Sequence, residues 1–275
     1  MNKNYFQYND GIGILPDTCK YRISPSQFSK FFDNSAQWWA EQIYKEAPEF
    51  QGSTASELGN CVHAGAEMYF DSKNIDHQSI ISYVDSLTTP DIDKSEILAQ
   101  YPIMLANLTT WLEANKGTNA EDFVHTEVLP GIHAAGSIDM YDTKKGIIYD
   151  YKTTGSLDKA RIPTSFPRAY YFQQMLYAYI LREQGHTINR LCLVYVTRDN
   201  TGRISEKTGK PLRDYPSTVE PLYHAITPDD WSLIESCVKL VAESIQTWQD
   251  NPELRHIICK DMRRKEKPKQ PLFKD

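Results

Sequence analysis

At 275 residues the chain can bury one large core or two small ones, and 40% hydrophobic with 24% charged residues is ordinary for a globular protein. A formal charge of −6 argues against a surface uniformly coated with cations, so any contact with a polyanion rests on where Lys and Arg cluster. Five scattered cysteines (Cys19, Cys61, Cys192, Cys237, Cys259) with no C-x-x-C pair argue against a disulfide framework or zinc site. No apolar run is long enough to cross a bilayer and the N-terminus lacks a signal-peptide core, so no membrane association and a cytoplasmic location are expected.

In chain order, Ser24-Pro-Ser26-Gln-Phe28 opens a helical pattern, with Ser24 or Ser26 as N-cap and Phe28, Phe31, Phe32, Trp38 and Trp39 as apolar anchors. A second helix is expected over 54–70, opened by a capping-box pattern Thr54-x-x-Glu57 and buried along Leu58, Val62, Gly65 and Tyr69. Residues 80–115 read as a helix pair, with Pro90 and Pro102 beginning or interrupting segments. Strands follow at 123–129, in a hairpin over 134–153 and at 191–197. Between the hairpin and the last strand a helix is expected over 168–184, with Phe172, Met175, Leu176 and Tyr179 inward. Residues 199–221, rich in Gly, Lys, Arg and Pro, read as a long loop or lid. A final helix over 228–248 turns Trp231, Ile234, Val238, Val241 and Ile245 to the core. Helices before and after a central sheet indicate one α/β domain.

The hairpin carries the chemistry. Gly136-Ser-Ile-Asp139 lies on the inward strand, and Asp150-Tyr-Lys152 on the outward one after a turn at 142–146. Alternation places Asp150 and Lys152 on one face and Tyr149 and Tyr151 on the other. A turn centred on Lys144 and Lys145 sets Asp139 opposite Asp150, close enough to share one metal; a one-residue slip or a bulge at Gly146 would part them. Two adjacent carboxylates call for a counter-charge, which a hard divalent cation supplies. On the second helix His63 flanks the buried stripe. Gly59, one turn earlier, leaves room for a strand or substrate to approach the imidazole. It reads equally as an ordinary helical histidine. Gln173 and Tyr177, four apart on one helix face, either orient a nucleotide or the lysine, or simply line the helix boundary. Tyr149, Tyr151, Tyr170, Tyr171 and Tyr177 suit stacking of unpaired bases or, equally, core positions.

Together and in this order, Ser24-Pro-Ser26-Gln-Phe28, Glu57-Leu-Gly-Asn-Cys-Val-His63, Gly136-Ser-Ile-Asp139, Asp150-Tyr-Lys152 and Gln173-x-x-x-Tyr177 resemble the RecB-type PD-(D/E)XK nucleases. The resemblance is to their stand-alone exonuclease branch, which includes RecE and lambda-type phage exonucleases and the mitochondrial genome maintenance exonuclease. It implies a single α/β nuclease domain over 1–275, with a central mixed sheet flanked by helices. Residues 24–120 would form a mainly helical portion, 121–250 the catalytic core and 251–275 a basic tail. It implies His63, Asp139 and Asp150 as metal ligands, the Tyr151 carbonyl as a further one, and Glu127 as a ligand for a second ion. Lys152 would position or activate the attacking water, and Gln173 and Tyr177 would support the lysine and contact DNA.

The implied cofactor is Mg2+ or Mn2+. Cluster-bearing relatives have cysteines near the first helix and the C-terminus, whereas this chain has Asn34-Ser-Ala-Gln-Trp38 and a lone Cys259, so no iron–sulfur cluster is expected. The implied activity is metal-dependent hydrolysis of DNA from single- or double-stranded ends in recombination, repair or phage DNA metabolism, with a recombination or single-strand-binding protein as partner. A structure-specific or restriction-type endonuclease, and a non-catalytic DNA-binding module with a nuclease fold, are the alternatives. The basic stretch from Arg255 to Lys274 reads either as a solvated terminus or as a nucleic-acid contact. Relatives form trimers and tetramers, so the oligomeric state stays open.

Overall fold

The computed structural model describes residues 4–6, 14–44, 52–115, 117, 119–155, 162–205, 208–211, 213–249, 251 and 253; the basic tail lies outside them. Its elements are β1 (Tyr21–Ile23), α1 (Pro25–Asp33), α2 (Ser35–Gln42), α3 (Thr54–Ser72), α4 (His77–Ser86), α5 (Lys94–Ala114), β2 (Asn119–Leu129), β3 (Ile132–Asp142), β4 (Ile147–Thr154), α6 (Arg168–Glu183), β5 (Arg190–Thr197), β6 (Val219–Ala225) and α7 (Pro228–Gln249). Polar side chains start most of the helices. Asn34, Ser53, Asp76 and Asp93 accept from backbone N–H groups of the first turns of α2 to α5, satisfying donors that a helix leaves open. On α3 the capping box is built from Ser53 and Ser56, one residue earlier than the pattern suggested. Glu57 is thereby released to accept from Tyr83 Oη at 2.6 Å and Asn60 Nδ2 at 2.9 Å.

The sheet runs β1-β3-β4-β5-β6, with β2 also paired to β3. Strand β3 therefore has three partners. β2 occupies one edge over its length, whereas the other edge is shared by β1, parallel at Ile132–Ala134, and β4, antiparallel at Met140–Asp142. Between those two ladders the edge of β3 forks open. Side chains take over there: Arg22 Nε donates to the Ala135 carbonyl at 3.2 Å, and Tyr177 Oη donates to the Ser137 carbonyl.

The β3–β4 turn is fixed by Asp142, whose Oδ1 accepts from the N–H groups of Lys144 and Lys145, both at 2.9 Å. Gly146 closes it at φ 65°, where a Cβ would meet the Thr187 carbonyl at 2.9 Å. The pairs Met140↔Tyr149, Tyr141↔Ile148 and Asp142↔Ile147 give the register in which Asp139 and Asp150 come next.

Helices cover both faces. On one, Phe28, Trp38 and Trp39 of α1 and α2 join Met175 and Leu176 of α6 and Ile234, Val238 and Val241 of α7 around Ile138, Ile148 and Leu191. Trp39 stacks on Trp248 at 4.5 Å, and Phe172 meets both Phe28 and Phe32. On the other face, α3, α4 and α5 pack Leu58, Val62, Ile80, Leu105 and Leu108 against Met140, Tyr149, Tyr151 and Val194.

Several elements differ from the sequence reading. Pro102 lies inside α5 without ending it. β2 begins at Asn119, four residues earlier than expected, and β1 and β6 were not foreseen. β6 reads Val-Glu-Pro-Leu-Tyr-His-Ala; as an edge strand it tolerates Pro221, which a central strand would not. The remainder of the expected loop is a short excursion, bridged at Ile204↔Pro211, whose base is held by buried Asn200 and Ser217.

At the start of α7, Asp230 Oδ2 accepts from Thr227 N–H at 2.7 Å, and Oδ1 accepts from Tyr171 Oη at 2.6 Å, tying α7 to α6. Although partial burial raises its pKa, these donors hold it down at about 2. A folded pKa below the unfolded value of about 3.9 gives stability that is complete above that value and lost as pH falls toward 2. Asp230→Asn should therefore lower unfolding free energy by about 2 kcal/mol at pH 7, the gap to wild type narrowing below pH 4 in urea titrations.

Candidate active site

The fork in β3 collects the candidate residues. α3 brings His63 to it because Gly59, one turn earlier, lets the helix come close to β4: a Cβ there would sit 3.2 Å from Thr153 Oγ1. Gly65, a turn and a half later, makes the matching close approach to Leu105 of α5. His63 Nε2 then lies 3.0 Å from the Tyr151 carbonyl, and Nδ1 lies 3.5 Å from Asp139 Oδ1. The other Asp139 oxygen accepts from Tyr151 N–H at 2.6 Å, so a side chain replaces the next rung of the β3–β4 ladder.

Asp150 and Lys152 lie toward α6, as alternation requires, and Tyr149 and Tyr151 are buried against α3 and α5. Asp150 Oδ2 is 2.7 Å from Lys152 Nζ, and Asp150 Oδ1 accepts from Gln173 Nε2 at 2.9 Å. The Lys152 ammonium also lies 4.8 Å from the centre of the Tyr170 ring.

Charge in this cluster is unbalanced. Burial pushes Asp150 up to about 6, and neighbouring Asp139 adds to that while Lys152 only partly offsets it. Burial alone would lower His63 and Lys152, yet both are raised, by Asp139 and by Asp150 respectively. Asp139 is the exception: burial would raise it, but His63 holds it below the usual carboxylate range. The neighbouring carboxylates thus raise His63 and Lys152, whereas Asp150 is raised chiefly by burial.

A carboxylate that the motifs did not single out completes the arrangement. Ligand atoms of His63, Glu121 and Asp139 all lie within 4.8 Å of one another. Glu121 has φ 51°, a left-handed conformation that is uncommon outside glycine, at the point where β2 faces Asp139. In the structure the pairs Asp122↔Ile138 and Ala120↔Met140 bracket Glu121 and Asp139; the sequence carried no signal for this, because the expected strand begins only at residue 123. Glu127 is not brought to this cluster. It lies near the other end of β2, paired with His133, and accepts from Gly131 N–H at 2.8 Å. One imidazole nitrogen, two carboxylates and the nearby Tyr151 carbonyl form a donor set that fits a divalent cation such as Mg2+ or Mn2+. Asp150 lies outside the triad, engaged by Lys152 and Gln173.

Gln173 and Tyr177 thus act in different places, the first on Asp150 and the second on the Ser137 carbonyl inside the fork. Gly136 belongs to the same contact, since a Cβ would lie 2.9 Å from Pro25 Cδ and 3.1 Å from Tyr177 Oη. Ser-Pro near the start and Gly-Ser-Ile-Asp later in the chain therefore meet in the fold. Of the tyrosines considered for base stacking, Tyr149, Tyr151 and Tyr177 are core residues and Tyr171 is bonded to Asp230; Tyr170 is half-buried beside Lys152.

A family model of the PD-(D/E)XK nuclease superfamily matches residues 22–261. Among solved structures, a Eubacterium rectale protein provisionally described as an exonuclease is similar over 99% of this chain and 97% of its own, at 16% identity and TM-score 0.57. That likeness shows a shared fold. A phage-related exonuclease from Haemophilus somnus 129PT aligns over 81% of this chain and 96% of its own, at 12% identity and TM-score 0.42, too low to carry an argument. No curated protein sequence matches.

Two measurements test the geometry. Glu121→Gln should weaken Mn2+ binding, read by calorimetry, by about tenfold or more, whereas Glu127→Gln should leave it unchanged. Gly136→Ala should cost about 1–3 kcal/mol in denaturant unfolding, because neither the Pro25 ring nor the seated Tyr177 can yield easily.

Proposed function

The chain belongs to the PD-(D/E)XK nuclease superfamily, and on that footing we propose that it hydrolyses phosphodiester bonds at DNA ends with Mg2+ or Mn2+. The observation that carries the reading is the fork itself: His63, Glu121 and Asp139 converge there beside the Asp150–Lys152 pair. His63, Glu121, Asp139 and the Tyr151 carbonyl would hold the cation, and Asp150, outside that set, would act by holding Lys152. When bound, the cation supplies Lewis acidity at a phosphoryl oxygen and makes water a better nucleophile.

The chain's own residues do the rest. The Asp150 carboxylate holds Lys152 Nζ beside the cation seat, and Gln173 fixes the second oxygen of that carboxylate. Lys152 is then placed to stabilise the negative charge that develops on the phosphoryl group as water attacks. Its ion pair with Asp150 favours the charged ammonium and so an electrostatic role. Tyr177 of α6 bonds the Ser137 carbonyl inside the fork, and it and Pro25 of α1 pack against Gly136. Action at ends is supported by the exonuclease description of the Eubacterium rectale protein, which matches nearly its full length.

Asp150→Ala and Lys152→Ala should each abolish Mg2+-dependent cleavage while preserving the circular dichroism spectrum and DNA binding in chelator; near wild-type cleavage by either would remove the site assignment. Linear single- and double-stranded substrates labelled at the 5′ or 3′ end should be degraded progressively, and closed single-stranded circles should survive. Cut circles would make the protein an endonuclease.

A further inference from the structure

Lys152 is ion-paired to Asp150 at the site, and a lysine side chain is long and flexible. Its ammonium is nevertheless held from more than one side. Asp150 draws it from β4 itself, while α6 lays the Tyr170 ring against it with the centroid 4.8 Å from Nζ. In the β4–β5 register Tyr195 stands opposite Lys152 on the same face; it is only 5% exposed, and its hydroxyl has no hydrogen-bond partner among the described residues. Lys152 is thus bounded by one carboxylate and two phenol rings, with 20% of its side chain exposed.

From this arrangement we infer that Tyr170 is a positioning residue for the nuclease reaction, its ring face seating the Lys152 ammonium for phosphate contact. The inference rests on the nuclease reading and deepens it. The chemistry is that of a cation on a π face. The ring attracts the ammonium without donating or accepting a hydrogen bond, so it restricts the lysine but leaves its N–H groups for Asp150 and a phosphoryl oxygen. A second carboxylate in the same place would compete with the phosphate for those donors, whereas an aliphatic side chain would not attract the charge.

The helix supports this placement. Tyr170 lies three residues before Gln173, so both project from neighbouring turns of α6, one onto Lys152 and the other onto Asp150. The next residue along, Tyr171, faces away to Asp230. One helix thereby controls both halves of the ion pair, through an amide on the acid and a ring on the base.

The test compares Tyr170→Phe, which keeps the ring face, with Tyr170→Leu, which removes it. With the full chain and Mg2+, Tyr170→Leu should lower kcat about tenfold with KM nearly unchanged, and Tyr170→Phe should stay within about twofold of wild type. A readout independent of activity is the Lys152 Hε resonance in protein with 13C-labelled lysine, assigned by its loss in Lys152→Arg. Ring current should displace that signal equally in wild type and Tyr170→Phe, and in Tyr170→Leu it should shift toward the ordinary lysine position, keeping only what the Tyr195 ring contributes. Unchanged kcat with an unmoved resonance in Tyr170→Leu overturns the inference. So does equal damage by both variants, which implicates the hydroxyl, or a change confined to KM, which makes the ring a substrate contact. Failure of the nuclease reading looks different: wild type would not cleave, or Lys152→Ala would cleave normally, and the resonance would still report whether the ring seats the lysine.

Discussion

Everything at the candidate site depends on the interruption of backbone pairing along one edge of β3. A strand in the middle of a sheet ordinarily satisfies its N–H and C=O groups through both neighbours, and an unpaired buried group is costly. Here β1 and β4 each take one end of the same edge, and two intervening carbonyls, those of Ala135 and Ser137, accept from the side chains of Arg22 and Tyr177. Opening a strand in this way frees part of its edge for side chains brought in by α3, β2 and β4. Polar side chains placed there are held by rigid elements rather than by a loop. The irregularity is shared by both neighbours of the site: β4 exchanges a ladder bond for the Asp139 carboxylate, and β2 adopts a left-handed conformation at Glu121.

The fork also accounts for how charge is tolerated in the middle of the fold. Carboxylates so close together would normally take up protons or splay apart. Instead each is committed to a separate donor. Asp139 is held by Tyr151 N–H and His63, and Asp150 by Gln173 and Lys152. Residual negative charge raises the affinities of His63 and Lys152 for protons, whereas Asp150 is raised chiefly by burial. A divalent cation relieves that imbalance more effectively than protons, since it carries two charges and accepts several oxygen ligands at once. On the proposed function, cation binding and catalytic electrostatics would draw on the same excess of negative charge.

How much of this was legible in the sequence follows from the range of each interaction. The hairpin register could be read because Asp142, the two lysines and Gly146 define a local turn, and strand alternation carries that register to Asp150 and Lys152. His63 could be placed near the strand because Gly59 marks a close helix approach. Glu121 could not be singled out by motif, because its role depends on an irregular backbone conformation in a strand whose start has no strong apolar pattern. Glu127, with an ordinary strand pattern around it, was the more visible acid and the misleading one. β1 is three residues long, paired only through a distant strand, and so gives almost no periodic signal. Pro221 disguised β6, since a proline in a strand reads as a loop unless the strand is known to lie at an edge.

The glycines show why motif and fold cannot be separated here. Gly136 has no special backbone angle; its lack of a side chain makes room for Pro25 and Tyr177, which close the fork from outside. Gly59 does the same for α3 against Thr153 on β4. Each stands a short distance from a candidate ligand, Gly136 three residues before Asp139 and Gly59 four before His63. A ligand at the end of a strand or helix is only as well placed as that element is close to its neighbours. Small residues set that distance, and the polar groups then inherit it. The site is built first by close backbone approach and only afterwards by its carboxylates, which is why a methyl group at Gly136 should disturb the site although it touches none of the ligands.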